Sequence, residues 1–145
     1  QLDLNWDVSA ITGQCLCEAV RITARTDNPI LRACHCDMCR RHTSGAFFSI
    51  ETVPDSIEVT GPATTYRSSD WAQRGFCSTC GSTLWYETLH DGQRNLAAGL
   101  FADAGRALLE LEFFADKCPQ GYRIEGDHRR LSTKETMAMF SGGNA

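Results

Sequence analysis

Residues 77–81 read Cys77-Ser78-Thr79-Cys80-Gly81, two cysteines separated by two residues and followed by a glycine. Two residues between cysteines let a tight turn bring both sulfurs to one metal ion, at the zinc–sulfur distance of about 2.3 Å. The glycine after the second cysteine suits a turn that needs a positive φ, which glycine adopts without strain. We therefore interpret the stretch as a metal-binding knuckle.

Two further cysteine clusters lie upstream of the knuckle. One is a C-x-C pair, and the other is a C-x-C-x-x-C triplet. In a strand, positions i and i+2 share a face, so a C-x-C pair can present two ligands to one ion. Structural zinc takes four protein ligands, whereas catalytic zinc keeps three and leaves one position open. The predicted sites are a closed one of Cys15, Cys17, Cys77 and Cys80, and an open one of Cys34, Cys36 and Cys39.

The spacing also permits a second division of the cysteines. The pairs Cys36/Cys39 and Cys77/Cys80 could build a zinc ribbon, which would leave the other three over. The compactness of the triplet favours the first division, because one short turn can deliver all three thiolates. Clusters with these spacings favour metal binding over disulfides, and an iron–sulfur cluster would need four cysteines around it.

Three other residues are candidates for the open site. Cys118 lies far from the clusters, and we interpret it as a free thiol rather than a fourth ligand of the triplet. His35 lies between two ligands, where alternation predicts that its side chain points away from the metal. His42, just past the triplet, is the better candidate for a pocket residue.

Composition limits the remaining classes of function. A chain of 145 residues suits a single domain, here residues 1–145, and 42% apolar with 22% charged residues is ordinary for a folded protein. The net charge of −4 argues against a nucleic-acid or anionic-membrane surface. No apolar run approaches the roughly 20 residues of a membrane helix. We expect a cytoplasmic protein, since metal ligation needs no oxidising compartment.

The pattern of apolar residues predicts mostly strands. Residues 20–25 alternate between apolar and polar, as in a half-buried strand. We predict further strands over 46–50, 57–59, 83–87, 95–101 and 108–114, with an edge strand over 122–125. A short helix is expected after Ser132, running to Phe140, and a loose tail over 141–145.

Three motifs together resemble the glutathione-dependent formaldehyde-activating enzyme family, which also contains the centromere protein V domain. They are Gly13-x-Cys15-x-Cys17, Cys34-His35-Cys36-x-x-Cys39-Arg40-Arg41-x-x-Ser44-Gly45 and Phe76-Cys77-x-x-Cys80-Gly81-Ser82-x-Leu84. Order, spacing and flanking residues match from about residue 13 to residue 124. The resemblance implies a mainly β chain with little helix, a β-tent fold of small antiparallel sheets around a structural zinc site.

The resemblance also implies roles for these residues. Cys15, Cys17, Cys77 and Cys80 would hold the structural zinc. The triplet Cys34, Cys36 and Cys39 would hold a second, exchangeable zinc with a catalytic role, beside which glutathione binds. The activity implied is formation of S-hydroxymethylglutathione from glutathione and formaldehyde, a carbon–sulfur lyase reaction.

The carboxylates of glutathione would need cationic partners near the triplet. Arg40 and His42 are our candidates, because arginine suits bidentate pairing with a carboxylate. In the family an aromatic residue tends to follow the last long strand, and Tyr122 is the candidate for that place here. The alternatives are a non-catalytic module that binds zinc or glutathione, and a structural zinc domain for a protein partner.

Overall fold

The fold is taken from a computed structural model, which describes the backbone of residues 9–144 and the side chains of residues 10–140. Over that part of the chain there are eleven β-strands and two α-helices, so the protein is mainly β, as predicted. The strands are β1 Ser9–Gln14, β2 Arg21–Thr26, β3 Ile30–Cys34, β4 Phe47–Ile50, β5 Glu58–Thr60, β6 Ala63–Arg67, β7 Ala72–Cys77, β8 Thr83–Thr88, β9 Arg94–Ala97, β10 Leu108–Phe113 and β11 Arg129–Arg130. The helices are α1 Asp37–Thr43 and α2 Thr133–Asn144.

The described residues divide into two compact units, 9–30 with 49–108 and 31–48 with 109–144. In the first unit, β2 pairs antiparallel with both β1 and β5, and β6, β7, β8 and β9 pair antiparallel in chain order. In the second unit, β10 lies between β3 and β11, and it is parallel to β11. The single domain expected from the length of the chain stays a prediction.

The first unit buries alternate residues of its strands. Along β2, Ile22, Ala24 and Thr26 are buried while the residues between them are more exposed, which confirms the predicted alternation. Across β7 and β8, Gly75 pairs with Trp85, and a Cβ at Gly75 would lie 2.3 Å from the indole ring. Glycine is therefore needed at position 75 because the ring of Trp85 occupies the space of a side chain.

Helix α2 begins where the sequence predicts a helix. The Ser132 hydroxyl accepts the backbone N–H of Glu135, and the Glu135 carboxylate accepts the backbone N–H of Ser132. This reciprocal pair satisfies two N–H groups at the start of the helix. The helix continues to Asn144, so the loose tail predicted over 141–145 is wrong for residues 141–144; Ala145 lies outside the described residues.

Three other predictions need correction. The strand predicted over 95–101 ends at Ala97, and residues 98–100 form a 3₁₀ turn closed by the N–H of Phe101 on the carbonyl of Ala98. No strand forms over 122–125, because the carbonyl of Ile124 accepts the guanidinium of Arg130 instead of a ladder hydrogen bond. The triplet lies on a strand end and on helix α1, where the sequence predicted one short turn.

None of the helices in the described part of the chain is long and apolar enough to span a membrane.

Candidate metal centres

The first unit brings four cysteine sulfurs together. Cys15, Cys17, Cys77 and Cys80 each place Sγ within 4.8 Å of the other three. The sulfurs of Cys15 and Cys17 are 3.6 Å apart, and those of Cys17 and Cys77 are 3.8 Å apart. Sulfurs about 2.3 Å from a central zinc ion, at the corners of a tetrahedron, lie roughly 3.8 Å from one another. The group therefore has the size of a tetrahedral zinc–thiolate site.

Two tight turns position these four sulfurs. After β1 the chain turns back on itself, and the N–H of Val20 donates to Cys15 Sγ at 3.3 Å. After β7 the N–H of Cys80 donates to Cys77 Sγ at 3.4 Å. Gly81 has φ +80°, the positive value predicted for this knuckle. Backbone N–H groups that point at sulfur stabilise the thiolate form, so both turns favour ligation.

Ser82 joins the two turns. Its hydroxyl accepts the N–H of Leu16 at 3.0 Å and lies 3.2 Å from Cys80 Sγ. Ser82 is part of the motif on which the family resemblance rests. The sequence of that motif does not predict that Ser82 connects the two turns. The hydrogen bonds of Ser82, from its side chain and then its backbone, lower the pKa of Cys80 to about 5.

The four thiols differ in how easily they ionise. The backbone N–H of Ala19 lowers the pKa of Cys17, but loss of hydration and the three adjacent thiols raise it to about 12. A second negative charge is costly beside an existing one, because like charges disfavour ionisation. A divalent cation at the centre would offset that repulsion. The donor set therefore fits a metal ion on both distance and charge.

The second unit holds the triplet as a separate group. The sulfurs of Cys34, Cys36 and Cys39 lie within 4.8 Å of one another. Cys36 is the N-cap of α1, and its Sγ accepts the N–H of Cys39 at 3.4 Å. Hydrogen bonding to Cys36 and Cys39, and then burial, raises the pKa of Cys34 above its usual range. These three thiols also fit a cation, and the grouping agrees with the first division of the cysteines rather than with the zinc ribbon.

All eight cysteines are free thiols, as expected for ligation rather than disulfides. Cys118 is not a member of either group. Its Sγ donates to the carbonyl of Tyr122 at 3.4 Å, and burial, followed by the charge of Glu112, raises its pKa. Cys118 is thus still interpreted as a free thiol. Among the described residues, the triplet consists of three cysteines and no fourth.

The two basic candidates lie on the helix that carries Cys39. The Nη2 of Arg40 donates to Asp37 Oδ1 at 2.8 Å, in an exposed ion pair that lowers the pKa of Asp37. His42 is half-buried, and it shares a helix face with Cys39 because residues i and i+3 are neighbours on a helix. Their binding roles stay predictions.

His35 is not a member of the triplet group, and its ring is hydrogen-bonded elsewhere. Its Nε2 is 2.8 Å from Glu112 Oε1, and both side chains are buried. The other carboxylate oxygen of Glu112 is hydrogen-bonded to His128 Nε2 and lies 3.2 Å from Arg130 Nε. Burial raises the pKa of Glu112, but the hydrogen bonds from His128 and His35 outweigh it and hold that pKa below its ordinary value. Sequence reasoning did not find this network.

Comparison with known proteins agrees with this arrangement of cysteines. The family model described as glutathione-dependent formaldehyde-activating enzyme matches residues 10–117. The chain belongs to this family. The match includes every cysteine of the two groups and ends one residue before Cys118. The predicted resemblance is thereby confirmed.

One similar protein and one similar solved structure agree with the match to the glutathione-dependent formaldehyde-activating enzyme family. A protein of Schizosaccharomyces pombe named as an uncharacterized lyase is 37% identical over 127 residues, covering 86% of this chain and 93% of that protein. A crystal structure of a Rhodobacter sphaeroides protein has a TM-score of 0.53 and 23% identity, covering 62% of this chain and 86% of that one. The first likeness supports membership of the family, and the second supports the fold alone.

Proposed function

We propose that this chain is a zinc-dependent carbon–sulfur lyase-like enzyme that acts on the adduct of glutathione, or a similar small thiol, with formaldehyde. The closed four-cysteine group would hold a structural zinc, and the triplet would hold an exchangeable zinc at which the reaction takes place. The family match and the lyase name of the yeast relative support the class of reaction. The cytoplasmic location and the β-tent fold implied by the resemblance remain part of this proposal.

The observation that carries the proposal is the difference between the two groups. One group has four cysteine sulfurs and the other has three, among the residues that the structure describes. Four thiolates complete a tetrahedral zinc site, whereas three leave room for an outside ligand. A zinc ion bound there would lower the pKa of a substrate thiol that took the fourth position.

The proposed reaction is balanced in its atoms and charge. A bond forms between the glutathione sulfur and the formaldehyde carbon, and the carbonyl π bond breaks onto oxygen. The proton given up by the thiol is matched by the proton that this oxygen takes up, so the product is a neutral hemithioacetal. In the reverse direction the same carbon–sulfur bond breaks, which is the lyase reaction.

The residues of α1 would supply recognition rather than chemistry. Arg40 uses one of its five N–H donors on Asp37, so the rest of its guanidinium remains available to a carboxylate. His42 lies on the helix face of Cys39, where it could contact a ligand of the triplet. The three thiols Cys34, Cys36 and Cys39 are the residues on which turnover would depend.

The test is the rate of S-hydroxymethylglutathione formation from glutathione and formaldehyde, followed by NMR exchange spectroscopy. We expect protein with two zinc ions to accelerate formation above the spontaneous rate, and Cys39→Ser to abolish the acceleration. Cys118→Ser is the matched control, since that thiol is outside both groups, and it should retain wild-type rates. If protein with two zinc ions gives no acceleration but binds glutathione saturably, the chain is a binding module and the enzyme proposal fails.

A further inference from the structure

Glu112 is a buried carboxylate to which three side chains bring hydrogen-bond donors. His35 contacts Oε1, while His128 and Arg130 contact Oε2. The side chains of Glu112, His35 and His128 are 3%, 1% and 2% exposed. A buried carboxylate is costly unless it is paired and hydrogen-bonded, so this network is complete only with all three partners.

His35 is the member of the network that lies between two of the triplet cysteines in the sequence. It lies between Cys34 and Cys36 in the chain, and its backbone N–H donates to the carbonyl of Phe113 at 3.1 Å. Its side chain is hydrogen-bonded to Glu112, which directly precedes Phe113 in β10. Two successive residues of one strand therefore hold both the backbone and the side chain of the residue between two cysteines.

The ring of His35 has one anchor. Its Nδ1 is buried and makes no hydrogen bond within the described part of the chain. The bond from Nε2 to Glu112 is thus the hydrogen bond that orients the ring, and through it the backbone that carries Cys34 and Cys36. Without that bond, only the packing around the buried ring would hold its orientation.

The far side of Glu112 is also held in place. The Nη2 of Arg130 donates to the carbonyls of Ile124 at 2.7 Å and Gly126 at 3.2 Å, and this fixes the loop that leads to His128. The N–H of Leu131 donates to the carbonyl of Glu112 at 2.9 Å. The carboxylate is therefore a rigid support for His35 rather than an adaptable one.

We propose that Glu112 is a positioning residue of the three-cysteine site, which acts through His35 to hold Cys34 and Cys36 ready for a metal ion. Holding ligands in place before binding removes an ordering cost, and partners that orient metal ligands typically contribute 10- to 100-fold to affinity. The inference rests on the proposed function in one respect, since it takes the triplet as a metal site. It does not depend on any turnover.

The test measures Co²⁺ affinity at the triplet of the folded protein whose four-cysteine site already holds zinc. The thiolate-to-cobalt absorption reports how many sulfurs bind, and competition with a chelator gives the affinity. We expect Glu112→Gln to weaken Co²⁺ binding about 10- to 100-fold, because the amide cannot accept from both histidines. The matched control is Asp116→Asn, which removes a carboxylate of the same unit that accepts from Thr133 and should leave the affinity unchanged.

A second pair of variants separates positioning from folding. His128→Gln keeps an amide N–H that can donate to Glu112 and should bind Co²⁺ nearly as wild type does, whereas His128→Leu should lose affinity as Glu112→Gln does. If Glu112→Gln and His128→Leu lower thermal stability but keep wild-type Co²⁺ affinity and absorption, the network is only structural and the inference fails. If wild-type protein takes up no metal at the triplet, the proposed function fails first, and this inference fails with it.

Discussion

The sulfur atoms of Cys17 and Cys77 lie 3.8 Å apart although 60 residues separate them in the chain. Cys17 follows the first strand and Cys77 ends the seventh, so a metal ion at this point would join the two sheet segments of the first unit. Such a link ties distant parts of the chain, and metal binding then becomes part of the free energy of folding.

We expect Cys77→Ser to prevent folding. Structural zinc supplies about 10–16 kcal/mol in small zinc domains, which matches or exceeds the 5–15 kcal/mol that stabilises a typical domain. Cys77 is fully buried, so solvent water cannot take the place of its sulfur at the metal ion. Circular dichroism and zinc content by mass spectrometry provide the measurement. A folded variant that still holds two zinc ions would contradict the structural role.

The Cys39→Ser variant should behave differently. It lacks one of three thiols in the triplet, so we expect one zinc ion per chain instead of two, with the fold retained. The free energy of unfolding should fall by only about 1 kcal/mol, the usual effect of a single substitution. Zinc content and urea unfolding test this, with Cys118→Ser as a control that keeps two ions. Two ions in Cys39→Ser would show that the ligands are divided in another way.

Much of the fold could be predicted from the sequence because its strands alternate or are rich in β-branched and aromatic residues. The strand of Ile22 and Ala24 is an example. Predictions failed where side chains or caps decide the backbone. Arg130 binds the carbonyl of Ile124 and prevents an edge strand, and Cys36 caps α1 in place of the usual serine or aspartate.

The two cysteine groups could be predicted because the spacing of ligands is local in the sequence. The hydrogen bonds that His35 and His128 make to Glu112 could not be predicted. In β10 the alternation of leucine and glutamate places Glu110 and Glu112 on one face, which would normally be the solvent face. Glu110 is exposed and Glu112 is buried, since His35 and His128 reach it from distant parts of the chain. A pattern within one strand carries no information about such partners.

Metal binding at the triplet should depend steeply on pH. The thiols of Cys36 and Cys39 raise the pKa of Cys34, so the metal-free site retains this proton at neutral pH. A metal ion must displace the proton, and the affinity therefore rises with pH and falls in acid, by about tenfold per pH unit for each proton released. Chelator competition between pH 6.5 and 8.5 measures the slope. An affinity that does not change over this range would show that Cys34 is already ionised or does not bind.

Gly75→Ala should destabilise the first unit by about 1–3 kcal/mol, because the new methyl group would meet the buried ring of Trp85 and force it to move. Urea unfolding of the zinc-loaded protein measures the change. Gly99→Ala is the control: a Cβ there meets no atom within 4 Å, and its effect should stay within about 0.5 kcal/mol. Equal stability of the two variants would mean that Trp85 can move without cost.

Arg40 and Asp37 should affect glutathione binding in opposite directions. If Arg40 binds a carboxylate of glutathione, Arg40→Gln removes the cation and should raise KM by up to about fivefold, as expected for an exposed ion pair of at most 1 kcal/mol. The value of kcat should change little, since the contact exists in both the bound substrate and the transition state. Asp37→Asn removes the competing partner of Arg40 and should lower KM.

Arg41→Gln, on the next residue of the same helix, is the matched control for charge. A KM that rises equally in Arg40→Gln and Arg41→Gln, and does not fall in Asp37→Asn, would assign the effect to the overall charge of the helix and not to a contact with Arg40.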